Sequence, residues 1–450
     1  MCYLASEMVA WVRVMGSERR PVVGTQGSHG VVGARCEKTV PGGGPAKTSA
    51  RSIRYLILHN AYGRFSGEEA VVQVVMRLLC EHSHDVTLFE RRSEEIPGMW
   101  LGTLRAVFTG VHSPSSCGRM REALRQFRPD VVNVHNVYPL ISPSVLKVCR
   151  DEGVPVVMTV HNYRLICPNG LFMTRGKVCH RCAGGREYWC LFRNCEGSLA
   201  KSFGYALRNW AARKRRVFLD NVTMYMALTQ FQREQLVREG FPADRIEVVP
   251  NASDGQGISA AKEAGDYVGF VGRVSAEKGI DTLRSAAKVL RQVPFRAAGG
   301  FDPSSPLVSG ASANVEFVGQ LDRSRLGAFY AGSRIIVLPS VCYEGFPLIL
   351  AEAMLHGKPV ICSRIGGLPE IVDDGVTGLL FEPGNAEDLA EKIQHLWEHP
   401  EVCRKMGEAG REKALREYSQ QRYYERMMNV FERAIKLGPG GPAIRRARNP

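Results

Sequence analysis

No stretch of this 450-residue chain is apolar for long enough to cross a bilayer as a helix. The start, Met1 to Met15, is mildly apolar, but Glu7, Arg13 and Glu18 break the region, so it makes a poor signal peptide. Both absences point to the cytoplasm, where the 13 cysteines are expected to be reduced thiols or metal ligands and not disulfides. Acidic residues are scarce: 45 Asp and Glu face 59 Lys and Arg, a formal charge of +14. That excess suits anionic partners such as nucleotide phosphates, acidic lipid headgroups or nucleic acid. Two nucleotide signatures are also missing. There is no Gly-x4-Gly-Lys-Ser/Thr loop, and no Gly-x-Gly-x-x-Gly after a first strand with an acidic residue ~20 positions on. The second absence argues against an NAD-dependent dehydrogenase.

What is present is a soluble globular composition, 44% apolar and 23% charged, in a chain too long for one core. Residues 1–50 are rich in Gly, Ser, Pro and Thr without periodicity and read as a disordered extension. From Ile53 short β-rich runs alternate with helical stretches, as in a doubly wound α/β sheet. Strands are expected at Ile53–Leu58, Val86–Phe89, Val131–Val134, Val154–Val160, Val222–Leu228 and Ile246–Val249. Thr229 is expected to cap the helix that follows the fifth of these. Linker composition follows at 251–265, and a second cycle of strands starts at Tyr267–Val271. The expected organisation is a domain over 51–250 with an insertion at 164–196, a second domain over 266–418, a helix at 419–436 that packs back on the first domain, and a basic disordered tail at 437–450.

The second domain carries the chemistry. Phe270-Val-Gly-Arg-Val-Ser-Ala-Glu-Lys-Gly279 reads as a strand, a turn with Arg273 and Lys278, and a helix N-terminus. Two cations beside unpaired N–H groups suit a diphosphate. Further on, Glu344 follows a buried strand in the turn Tyr343-Glu-Gly-Phe-Pro347, and Pro347 opens a helix that carries Glu352. Eight residues along a helix separate two carboxylates by ~12 Å, so they cannot share one proton or one metal and are placed to hold different parts of one extended ligand.

Those residues, with Gly357-Lys-Pro-Val-Ile-Cys-Ser-Arg-Ile-Gly-Gly-Leu-Pro-Glu-Ile-Val-Asp-Asp-Gly-Val-Thr-Gly378, resemble the C-terminal domain of family 4 glycosyltransferases and their Glu-x7-Glu motif. The resemblance implies a GT-B fold of two Rossmann-like domains facing a cleft, a nucleotide-diphosphate-sugar donor, retention of anomeric configuration and no catalytic metal. It implies that Glu344 contacts the donor sugar, Glu352 the ribose, and Arg273 and Lys278 the leaving diphosphate, with Gly272, Gly345, Phe346, Pro347 and Leu348 lining the donor site. The first domain resembles the family too. His59-Asn-Ala-Tyr-Gly-Arg-Phe-Ser-Gly67 stands where the family has a Gly-rich loop, with Ser66-Gly67 in place of a double glycine, and Gly67 is carried over as a donor-site residue. His161, in Thr159-Val-His-Asn-Tyr163, matches the family's catalytic-region histidine, expected to bond the donor sugar or orient the acceptor. His135, Asn136 and Asn162 are acceptor-side candidates.

Five cysteines, Cys167, Cys179, Cys182, Cys190 and Cys195, fall in the insertion, with a CxxC at Cys179-His-Arg-Cys182. Four of them, or His180 with three, could ligate a structural zinc; the alternative is a reduced loop. After them Lys201, Arg208 and Arg213 to Arg216 alternate with Leu199, Phe203, Leu207, Trp210 and Phe218 on an expected helix over 199–218. It reads either as a helix for an anionic membrane surface, at the inner face of the cytoplasmic membrane, or as a core helix with a solvated basic face. The expected acceptor is a glycan or lipid-linked hydroxyl, as in cell-surface polysaccharide synthesis. Two competing readings are a nucleotide-sugar epimerase and a zinc-stapled, basic nucleic-acid-binding module; the second leaves the whole second domain unexplained, and no specific nucleic acid partner is expected.

Overall fold

The computed structural model describes residues 52–62, 66–95, 109–253 and 265–440, together with the short antiparallel pair Val22–Val23 and Ala34–Arg35. The rest of the expected N-terminal extension, most of the linker and the basic tail lie outside the described residues. The chain divides into two compact units, 1–157 with 221–223 and 434–450, and 158–220 with 224–433.

The first half supplies β1 (Arg54–Ala61), α1 (Gly67–Glu81), β2 (Asp85–Arg92), α2 (Pro114–Phe127), β3 (Val131–Asn136), α3 (Ser144–Asp151) and β4 (Val156–Val160). Then come α4 (Tyr188–Phe192), α5 (Leu199–Lys214), α6 (Val217–Asn221), β5 (Met224–Ala227), α7 (Gln230–Arg238) and β6 (Ile246–Val248). Their sheet has the order β6-β5-β4-β3-β1-β2, and β1 pairs in parallel with both β2 and β3. The order reverses between β1 and β3, a topological switch point. Strands β1 and β3 run further than their apolar cores suggest, so His59, Asn60, His135 and Asn136 are buried strand residues and not loop residues.

The second sheet is built from β7 (Tyr267–Val271), β8 (Phe295–Ala298), β9 (Val315–Gly319), β10 (Ser333–Leu338), β11 (Val360–Ser363) and β12 (Gly378–Phe381). Its helices are α8 (Ile280–Val289), α9 (Arg323–Gly332), α10 (Leu348–Leu355), α11 (Leu368–Ile371), α12 (Ala386–Glu398), α13 (Pro400–Glu417) and α14 (Gln420–Leu437). The order β9-β8-β7-β10-β11-β12 is fully parallel and puts the switch point between β7 and β10. Both faces are covered, which is why these strands are nearly continuous apolar runs. Val268 and Phe270 pack with Leu283, Ala286 and Ala287 of α8, while Tyr267 lies with Phe329, Tyr330 and Met354 on the other face. Emptying one such site, as in Phe270→Ala, costs ~3–5 kcal/mol.

Three local expectations are corrected. The basic helix expected over 199–218 stops at Lys214, because Arg216 takes a left-handed φ of 51° and a separate short helix starts at Val217. The cysteines are not uniformly free: Cys80 is disulfide-bonded, while the ten other described cysteines are free thiols. The third concerns which face of α5 is buried. Ser202, Gly204, Ala206, Asn209, Ala211 and Ala212 are buried, and Leu199, Phe203 and Trp210 are exposed. Of the two readings of this helix, the core helix is the one corrected: Leu199, Phe203 and Trp210 point to solvent, while Leu207 is half-buried and Phe218 is buried.

Candidate active site

The turns after β7 and β10 meet at the second switch point. Gly279 has φ +72°, and a Cβ there would sit 1.7 Å from the Pro339 carbonyl oxygen. Only glycine lets the two turns approach so closely. The Val341 N–H donates to the Glu277 carbonyl at 3.0 Å and fixes one turn on the other.

That contact brings Lys278 to Glu344. The ammonium donates to both carboxylate oxygens, at 2.7 and 2.9 Å, and Ser340 Oγ donates to Oε1 at 2.6 Å. The side chains are 21% and 12% exposed, so the pair is shielded from water. Burial works against both charges, but each is the other's main counterweight: the Lys278 pKa rises and the Glu344 pKa falls from their ordinary values. Both groups are therefore charged at neutral pH. Arg273 is 70% exposed and, among the described residues, is paired with Glu277, at 3.1 Å. Gly272 precedes it with φ +151°, and the backbone of Gly299 lies against its carbonyl. The sequence motif thus comes together as a charged cluster with one exposed guanidinium beside it.

Glu352 lies in α10, one helix further on, and is separate from that cluster. Its carboxylate accepts from Tyr330 Oη at 2.7 Å. Burial raises its pKa, partly offset by that hydrogen bond. Pro347 is the N-cap position of α10 and Leu348 its first residue, while Phe346 is buried against Tyr418, with ring centroids 5.0 Å apart.

His161 belongs to the same unit. A Cβ on Gly345 would stand 2.6 Å from the His161 carbonyl oxygen, so this glycine is required by the close approach of the two segments. Tyr163 Oη donates to the Glu344 carbonyl at 3.1 Å, and Asn162 Oδ1 accepts from the Arg164 N–H at 3.0 Å. Glu370 receives the N–H groups of Gln230 and Phe231, each at 2.6 Å, at the start of α7. Thr229 caps that helix as expected, and its side chain leaves no room for a Cβ on Gly367. Sequence reasoning missed Ser340, Tyr330, Tyr163 and Glu370. Tyr163 and Glu370 lie inside motifs that carry the resemblance and Ser340 stands four residues before Glu344; nothing in the local sequence marks Tyr330.

Gly67, His135 and Asn136 fall in the other unit. Gly67 opens α1 beside a capping box in which Ser66 and Glu69 satisfy each other's backbone N–H groups. A Cβ on Gly67 would meet nothing within 4 Å, so packing does not explain this glycine. The Asn136 amide donates to the Asn60 carbonyl at 2.9 Å, and Asn60 Oδ1 accepts from the Leu140 N–H at 2.9 Å. His135 Nε2 lies 2.8 Å from Asn133 Oδ1. Glu69 accepts the Tyr62 and Ser66 N–H groups and lies 3.5 Å from His59 Nε2. Against the effect of burial, these partners hold its pKa down at about 2.

Among the described residues no three His, Cys, Asp or Glu side chains are arranged to hold an ion, although Cys167, Cys182, Cys190 and Cys195 lie close enough for their charges to act on one another. Cys182 and Cys190 pack with Ala206. The Cys190 and Cys195 thiols share a hydrogen bond, which raises the pKa of the first and lowers that of the second. Burial raises Cys167 to about 11 and Cys182 to about 12. The insertion is anchored by rings: Tyr343 is ringed by Tyr163, Phe172, His180 and Phe231 at centroid distances of 6.0, 5.7, 5.5 and 4.7 Å, and its hydroxyl is 3.0 Å from His180 Nε2.

Residues 66–252 match the family described as glycosyl transferase 4-like domain, and residues 256–413 the family of glycosyl transferases group 1. The α-maltose-1-phosphate synthase of Mycolicibacterium smegmatis is 29% identical over 268 residues, 51% of this chain and 67% of that protein. Among solved structures, the sucrose-phosphate synthase of Thermosynechococcus elongatus superposes with a TM-score of 0.65 at 18% identity, over 85% of this chain and 99% of that one. HepE from Anabaena, solved with UDP and glucose, superposes with a TM-score of 0.60 at 17% identity, over 85% and 100%. At such identities the structures speak for the fold alone. The fold agrees with the two sequence families, matched in succession along the chain, and this protein therefore belongs to the glycosyltransferases of GT-B type.

Proposed function

We propose that the chain is a family 4, metal-independent transferase that moves a sugar from a nucleotide-diphosphate donor to a hydroxyl with retention of configuration. The observation that carries this reading is the Lys278–Glu344–Ser340 cluster at the second switch point, with Arg273 on its rim. A nucleoside diphosphate leaves with growing negative charge. Lys278 uses two contacts on Glu344, and the exposed Arg273 is free to swing, so two cations are preplaced where a divalent metal would otherwise act. Glu344, kept ionised by Lys278 and Ser340, accepts hydrogen bonds from sugar hydroxyls. Glu352, steadied by Tyr330, accepts them from the ribose. His161, whose backbone rests on Gly345, presents its imidazole to the donor sugar or the acceptor.

The acceptor in this reading is a glycan or lipid-linked hydroxyl at the cytoplasmic face of a membrane, as in cell-surface polysaccharide or glycolipid synthesis. Among the described residues no helix is long and apolar enough to cross that membrane. Because a structural neighbour holds UDP and glucose, UDP-sugars head the test. Thermal shift and slow hydrolysis are read for UDP-, GDP- and ADP-sugars in EDTA and in magnesium, beside Arg273→Ala and Glu344→Ala. A shift with one donor class in EDTA, weakened in Arg273→Ala, supports the mechanism. A strict need for a divalent ion overturns it.

A further inference from the structure

The insertion and helix α5 form a surface that the donor chemistry does not use. A cavity of about 680 Å³ is lined by Arg175, Lys177, Arg181, Arg186 and Arg193, with His180 and Trp189, and no carboxylate. Arg175, Lys177, Arg181 and Arg186 are exposed. None of the five cations takes part in an ion pair among the described residues. The acidic neighbour Glu187 is buried and turned to Arg213, at 2.7 Å. Two other basic residues of this stretch are engaged internally: Arg208 is buried against Tyr205 and donates to the Pro168 carbonyl, and Arg213 joins Glu187 to Glu239.

Beside the cations stand exposed apolar side chains. Tyr188 is 50%, Phe192 72%, Leu199 63%, Phe203 51% and Trp210 49% exposed. Every large aromatic found that exposed among the described residues lies in this one segment. Tyr188, Trp189 and Phe192 form one ring cluster, with centroids 5.7 to 6.1 Å apart. Leu199, Phe203 and Trp210 share a face of α5, because steps of four and seven residues return to the same side of a helix. Lys214 continues that face, with its ammonium 5.7 Å from the Trp210 ring.

We propose that this surface docks the protein on an anionic bilayer, with the cations on lipid phosphates and the aromatic residues in the headgroup layer. Unneutralised cations next to exposed aromatic residues are what an interface with acidic lipid requires, where each rewards a different layer of the bilayer. A second copy of the chain is disfavoured as the occupant, because a symmetric contact would bring the two cation clusters together. The inference supplies the site for the membrane contact in the proposed function but rests on no part of the donor chemistry.

Flotation of the full chain with phosphatidylcholine vesicles, with and without phosphatidylglycerol, tests it. The wild type should bind the anionic vesicles and only weakly the neutral ones. Arg175→Glu/Lys177→Glu/Arg181→Glu should lose on the order of a hundredfold in vesicle affinity, since each cation is worth about fivefold. Phe192→Ser/Phe203→Ser should weaken the part of binding that resists high salt. All five side chains are exposed, so the melting temperature and the donor-induced thermal shift should stay unchanged in both variants. If no donor shifts any of these proteins while vesicle binding follows this pattern, the transferase mechanism fails and the docking surface stands. Equal binding of the charge variant, displacement of the wild type by low inorganic diphosphate, or a dimer that Phe192→Ser/Phe203→Ser dissociates without any vesicle binding would each overturn the proposal.

Discussion

The two sheets each reverse their strand order once, and the two reversal points are closed in opposite ways. Between β1 and β3 the closure is made by neutral amides: Asn60 and Asn136 tie the strand ends and the following loop together, and the nearby carboxylate of Glu69 is occupied in capping α1 and in its contact with His59. Between β7 and β10 the closure is an ion pair, Lys278 with Glu344, forced together by the glycine contact at Gly279. Amides hold geometry at any pH and leave no net field. An ion pair of shielded charges leaves a field that a phosphate or a sugar hydroxyl can enter, at the cost of instability if one partner is lost. The first reversal point is a joint, and the second is a poised site.

Substitution of Lys278 should give the largest effect. Lys278→Ala should cut donor turnover by ~10²–10³-fold and, by leaving Glu344 shielded and unpaired, lower stability by ~3–5 kcal/mol. Lys278→Met/Glu344→Gln should regain much of the stability in a denaturant melt but none of the turnover. If it regained both, the ion pair would be structural, and the contrast between the two points would vanish. Next in size is acid behaviour in the first unit. The depressed pKa of Glu69 means its contribution is present above the ordinary carboxylate pKa near 4.5 and is lost as pH falls toward about 2. Glu69→Gln should remove about 3 kcal/mol at neutral pH and flatten the acid limb of the stability–pH curve.

Asn60→Ala should cost ~1–3 kcal/mol in the melt by stranding the Leu140 N–H, with the donor KM unchanged. A raised KM without lost stability would move the first point into the donor site and break the comparison. Tyr330→Phe should be the mildest. It removes one hydrogen bond on Glu352, so KM for the donor should rise about fivefold with stability altered by only ~1 kcal/mol; a change in kcat alone would contradict a binding role for Glu352.

Much of the second sheet could be read from the sequence because both its faces are buried, so its strands stand out as apolar runs and its turns as breaks between them. The same holds for Arg273, Lys278, Glu344 and Glu352, which sit at fixed offsets from those breaks. Tyr330 could not be read, since it reaches Glu352 from a neighbouring helix and 22 residues away. Asn60 looked like a loop residue because polar side chains ended the apolar run, whereas its amide bonds backbone groups and the strand continues to Ala61; Asn136 ends β3, as its place in the sequence suggested. For α5 the sequence left open whether the large apolar stripe faces a membrane or the core. The helix buries Ala, Gly, Ser and Asn because close packing against α4 favours small residues there, and periodicity by itself does not distinguish a buried apolar stripe from an exposed one.

Tyr343 precedes Glu344 in the chain, yet its ring is surrounded by Phe172 and His180 of the insertion as well as by Tyr163 and Phe231. The insertion is therefore not an attachment that could be added to or trimmed from an ancestor without consequence. A lineage that lost it would expose an aromatic ring directly beside the carboxylate of Glu344. In a set of related chains, positions 172, 180 and 343 should accordingly change together, and chains without the insertion should carry a small or polar residue at the position of Tyr343.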